Sequence, residues 1–114
     1  MKTIDKLKLP KTDEQAIREA SGYLKEQFPV EDVILFGSVA RKEKDSESDI
    51  DLLVLTKRAI TWEERKSIIG TLFEIQRKYQ VIFSPLIIAK DEWDNGPPSL
   101  LPIHREIDKD GVST

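Results

Sequence analysis

The chain has 114 residues, 39% of them hydrophobic and 34% charged, a composition that fits one soluble globular domain over residues 1–114. Eighteen basic against 21 acidic residues leave a net charge of −3, which argues against stable nucleic-acid binding by phosphate neutralisation. With no cysteine and one histidine, disulfides and thiolate metal centres are excluded and a typical zinc site is disfavoured; with no long apolar run, neither a signal peptide nor a membrane span is expected, and the expected address is cytoplasmic.

Met1 to Pro10 reads as an N-terminal arm (residues 1–11), its Lys2, Lys6, Lys8 and Lys11 more in keeping with a solvated segment than with a nucleic-acid grip. Thr12 and Gln15 have capping-box spacing, and Ile17, Ala20, Leu24 and Phe28 follow at helical intervals until Pro29 closes the segment. Val33-Ile34-Leu35-Phe36 is a short apolar run suited to a strand buried on both faces, and it stops at Gly37-Ser38. Val39 to Arg41 predicts a helical turn, Lys42 to Ser48 a polar loop, and Ile50 to Leu55 a second buried strand.

Thr61 and Glu64 repeat the capping-box spacing. Trp62, Ile69, Leu72, Phe73, Ile75 and Tyr79 then predict the apolar face of a long helix, with Gly70 explained by close packing against a neighbour. Val81 to Ala89 predicts a third strand, placed at a sheet edge by Pro85. After the Gly96-Pro97-Pro98 break, within a C-terminal extension over 94–114, Leu100 to Lys109 predicts a closing helix. Helix, strand, strand, helix, strand, helix is the order of an α/β sandwich with one small sheet.

The chemistry concentrates in Gly37-Ser38-Val39-Ala40-Arg41 and Ser48-Asp49-Ile50-Asp51. Strand residues two apart share a face, so Asp49 and Asp51 project together. Adjacent carboxylates repel, and a divalent cation relieves the repulsion; hard oxygen ligands with room for phosphate and water suit magnesium. Gly37 permits close backbone approach to a phosphate, and the Ser38 hydroxyl with free N–H groups can hold an anion. A Gly-Ser turn or an Asp-Ile-Asp strand entry is common by itself; the combination is the specific signal.

Gly37-Ser38, ten intervening residues, and Asp49-Ile50-Asp51 on an apolar strand resemble the signature of the nucleotidyltransferase superfamily that includes DNA polymerase beta. The short chain and Ala40-Arg41 resemble its minimal nucleotidyltransferase branch, the resemblance covering about Asp13 to Ala89. It implies a nucleotidyltransferase-like sandwich, with a small mixed sheet of three or more strands flanked by helices. It also implies transfer of a nucleoside monophosphate, AMP from ATP above all, to a hydroxyl on a protein or small molecule, with release of pyrophosphate. Asp49 and Asp51 would be the catalytic metal ligands for Mg2+, and Gly37 and Ser38 would hold the triphosphate. Arg41 would either neutralise phosphate charge or stand as an exposed helix-end arginine. Minimal members pair with small all-helical partners of the HEPN type and act as antitoxins, so such a partner is expected here; self-association stays open.

Active members carry a third carboxylate on the strand after the long helix, expected near Ile82, and Gln80 to Ile88 contains no acid. Asp91 and Glu92 follow too late to replace it. That departure supports a second reading, a degenerate nucleotidyltransferase that binds a partner or senses nucleotide. His104 reads as a surface histidine, Trp62 as a core residue and Trp93 as equally a core or an interface residue; either tryptophan could otherwise stack a base.

Overall fold

Odd and even residues of the central strands feed two separate cores, which is why their sequences are continuously apolar. The computed structural model describes residues 1–41 and 49–114. Its elements run β1 (Lys2–Thr3), a 3-10 turn (Ile4–Lys6), α1 (Lys11–Gln27), β2 (Val30–Phe36), α2 (Gly37–Ala40), β3 (Ile50–Thr56) and α3 (Trp62–Tyr79). They continue with β4 (Phe83–Ala89), α4 (Lys90–Asn95), a 3-10 turn (Pro97–Leu100), α5 (Pro102–Asp110) and β5 (Val112–Ser113).

The strands make one mixed sheet in the order β1-β5-β2-β3-β4. β2 and β3 are antiparallel, with Phe36 opposite Asp51, whereas β3 and β4 are parallel across the α3 connection. Val33, Leu35, Ile50, Leu52 and Val54 meet Ile17 and Leu24 of α1 and Ile68 and Leu72 of α3 on one face. Ile34, Leu53 and Leu55 meet Trp93 of α4 and Ile107 of α5 on the other. The result is three layers, a helix pair on each side of the sheet. Pro85 lies on β4, the edge strand, where its missing N–H is tolerated.

Several sequence expectations change. The N-terminal segment is not a free arm: Lys2 and Thr3 pair in parallel with Val112 and Ser113, and Ile4 and Leu7 are buried. α1 starts at Lys11 with Pro10 at its N-cap and no side-chain cap, so Thr12 and Gln15 form no capping box. α3 buries Ile68, Leu72 and Ile75, while Trp62 and Phe73 are 71% and 57% exposed. Among the described residues a Cβ on Gly70 would meet nothing within 4 Å, so close packing does not explain that glycine. β4 begins two residues later than expected, and α4 was not foreseen.

The Thr61 capping box does form. The Glu64 N–H donates to Thr61 Oγ1 at 3.1 Å and the Thr61 N–H donates to Glu64 Oε1 at 2.9 Å. Arg58 clamps the same carboxylate through two N–H groups, at 3.0 and 2.8 Å, and with the Thr61 N–H holds its pKa down to about 2. A lowered folded-state pKa stabilises the fold above the ordinary carboxylate value and is lost as pH falls toward about 2. Thr61→Ala is expected to cost about 1 kcal/mol. Urea melts of the variant at pH 7 check that figure, and wild-type melts at pH 5 and pH 3 check the acid-side loss.

Candidate active site

Gly37 opens α2 directly after β2, with φ +77°, a left-handed conformation that glycine adopts without penalty. A Cβ at that position would overlap Oδ2 of Asp51. The glycine therefore makes room for a carboxylate from the neighbouring strand, a second requirement beyond the phosphate approach expected from the sequence. Ser38 is the second residue of the single turn of α2, and Val39 and Ala40 anchor that turn in the main core.

Gly37, Ser38, Arg41 and Asp51 line one cavity of about 340 Å³, together with Phe36 and with Glu106, Ile107 and Asp110 of α5. Asp49 lies just before β3 and is exposed. Asp51 is half-buried, and its pKa is raised first by burial, then by the negative charge of Asp49, with the Arg41 guanidinium opposing the shift. Among the described residues no group of three histidine, cysteine, aspartate or glutamate side chains is gathered closely enough to hold a metal. Two carboxylates with phosphate oxygens and water nevertheless fit a magnesium ion, which seldom has an all-protein cage. The donor set thus suits a metal that arrives with a nucleotide.

The strand register locates the missing acid. Asp51 pairs with Ser84 on β4, and the Ile50 N–H donates at 2.8 Å to the carbonyl of Ile82, two residues earlier and just before β4. Ser84 and Ile82 are both exposed, and neither is acidic. Glu106 and Asp110 are the residues that sequence reasoning missed. They reach the cavity only because α5 crosses the sheet face that carries Asp51, and no local spacing announces that.

The remaining candidates lie elsewhere. Trp93 is buried in the second core and stacks on His104, with ring centroids 4.4 Å apart, which leaves it unsuited to stack a base. His104 is not a surface histidine: it is half-buried, its Nδ1 lies 3.1 Å from Asp108, and among the described residues its Nε2 is enclosed without a partner. Trp62 is exposed on α3 and does not line the cavity.

Residues 17–105 match the model of the nucleotidyltransferase domain. A Methanocaldococcus jannaschii protein bearing the name of a protein adenylyltransferase is 45% identical over 58 residues, 51% of this chain and 59% of that protein. A second one from the same organism is 41% identical over 54 residues, 47% of this chain and 49% of that protein. The chain thus matches about half to three-fifths of the length of these relatives. In fold it is similar to a nucleotidyltransferase-named structure from Sulfolobus solfataricus, at TM-score 0.54 and 23% identity over 93% of this chain and 87% of that one. It is also similar to a chain of a toxin–antitoxin structure with AMP-PNP, at TM-score 0.59 and 15% identity over 87% of this chain and 69% of that one. Among the described residues no helix is long and apolar enough to cross a membrane. The Gly37-Ser38 turn held against Asp51, in a five-stranded mixed sheet whose sequence matches the family model over most of its length, makes this chain a member of the nucleotidyltransferase domain family, whose members use a nucleoside triphosphate and a divalent metal.

Proposed function

We propose that the chain transfers AMP from ATP, with magnesium, to a hydroxyl on a protein or small molecule, and that Gly37, Ser38, Arg41, Asp49 and Asp51 carry the reaction. The observation behind this reading is the contact between the two halves of the motif, Gly37 and Asp51, at the wall of one cavity. Gly37 and Ser38 orient the triphosphate, and Arg41 sets positive charge beside it. Asp49 and Asp51 would hold the magnesium ion, which supplies electrostatic stabilisation of the charge developing on the phosphate oxygens. The names of the relatives support a protein acceptor, and the name of the toxin–antitoxin structure supports an antitoxin role; the small helical partner of the HEPN type and the cytoplasmic address rest on the sequence alone.

Incubation with α-labelled ATP and magnesium, with and without the product of the neighbouring gene, tests the reading. Label transfer that vanishes in the Asp49→Ala/Asp51→Ala variant is the expected result. A second reading, a partner-binding module without turnover, is favoured by Ser84 and Ile82 standing where an acid would complete the metal site. Tight binding of that partner by the double variant, with no label transferred by wild type, would select it.

A further inference from the structure

β3 and β4 present Asp51, Leu53 and Leu55 of one strand and Ser84, Leu86 and Ile88 of the other to the same face of the sheet, in register. α5 lies across that face, its Ile107 buried against Leu53 and Leu55. One flank of α5 brings Glu106 and Asp110 to the cavity shared with Gly37, Ser38, Arg41 and Asp51. The opposite flank carries Asp108, paired with His104.

Helix energetics do not favour Glu106 and Asp110 where they are. Carboxylates four residues apart repel, and Asp110 closes the helix at the end where backbone carbonyls already concentrate negative charge. Among the described residues neither carboxylate takes a hydrogen bond or an ion pair. Lys109 in the last turn offsets part of that charge, yet neither acid is paired with it, so their place on the cavity flank answers to the cavity rather than to the helix. The cavity needs a carboxylate, because β4 offers none beside Asp51.

Resting on the transferase reading above, we propose that α5 supplies the carboxylate absent from β4, with Glu106, the longer of its two acids, as the proton acceptor. The attacking hydroxyl gives its proton to the Glu106 carboxylate, and its oxygen forms a bond to the α-phosphorus. The bond from the α-phosphorus to the bridging oxygen breaks, and that electron pair leaves with pyrophosphate. With water as the attacking group the products are AMP and pyrophosphate, so the step can be read without knowing the natural acceptor.

The experiment follows release of AMP and pyrophosphate from α-labelled ATP with magnesium, alongside nucleotide affinity by calorimetry and fold by thermal melting. Glu106→Gln is expected to lower kcat by about 10²-fold or more, the scale of a lost general base, with nucleotide affinity and melting temperature unchanged. Adding Ser84→Asp, which puts an acid opposite Asp51, is expected to restore part of the rate. Asp108→Asn, on the other flank, is expected to turn over like wild type. A wild-type rate in Glu106→Gln overturns the proposal, as does a loss confined to Asp110→Asn or a Glu106→Gln loss that appears in affinity as much as in kcat. Wild-type protein that binds magnesium-ATP and releases no AMP overturns it while nucleotide binding stands. Protein that binds no magnesium-ATP overturns the transferase reading, and the proposal with it.

Discussion

Gly37→Ala is expected to disable the nucleotide site while leaving the fold intact. Two costs fall on the one methyl group. The backbone at φ +77° is left-handed, which costs an L-residue about 1–2 kcal/mol. The added Cβ also overlaps the Asp51 carboxylate, so either Asp51 swings away or β2 and β3 separate. The strands are held on both faces by packed cores, so the side chain is the part that moves. Displacement of a catalytic group by about 1 Å can cost about 10²-fold in rate, and a shifted metal ligand adds a loss in nucleotide affinity. Transfer is therefore expected to fall at least about 10²-fold, with a stability loss of about 1–3 kcal/mol. Calorimetric titration with magnesium-ATP and urea melts measure the two effects separately. A variant that binds and transfers like wild type would show that the glycine serves only the backbone turn.

The same glycine shows where the sequence is readable and where it stops being so. The turn at Gly37-Ser38 and the place of Asp51 on β3 follow from residue type and spacing alone. So do the buried strands and the Thr61–Glu64 cap, because each is decided within a few residues. Helix α3 is different: it carries two apolar stripes, Ile68-Leu72-Ile75 and Trp62-Ile69-Phe73, and both have helical spacing. Packing against the sheet buries the first and takes from the second only Ile69, which leaves Trp62 and Phe73 exposed where the spacing predicts core. The two-residue strands β1 and β5 have no periodicity to detect, and each exists through its pairing with the other and, for β5, with β2. Glu106 and Asp110 are the furthest case. They sit more than 50 residues after Asp51 in sequence, and their meeting with it depends on the whole path of α4 and α5 over the second core.

Asp51→Asn is expected to make the protein more stable and almost inactive. Burial and the charge of Asp49 both disfavour the ionised form of Asp51, so its pKa in the folded protein lies above its unfolded value. For a carboxylate shifted upward, the favourable contribution is complete below the unfolded pKa and is lost as pH rises through the folded one. At neutral pH the ionised group therefore works against the metal-free fold, and the neutral, similarly shaped amide removes that penalty. The variant should melt above wild type at pH 7 without magnesium, and the gap should close as pH falls below the ordinary carboxylate range. Magnesium with nucleotide should reverse the order, since the ion offsets the repulsion between Asp49 and Asp51 only where both charges are present. Transfer should fall by about 10²–10³-fold, the scale of losing one fixed electrostatic contact to a developing charge. Melting curves at several pH values, with and without magnesium-ATP, read all of this on one instrument. Equal melting temperatures at neutral pH, or equal magnesium shifts in the two proteins, would mean that Asp51 neither stores that repulsion nor holds the ion. A residue chosen only for folding would not stand half-buried against Gly37 with the charge of Asp49 disfavouring its ionised form, so the gain expected in Asp51→Asn is what a site kept for a cation predicts.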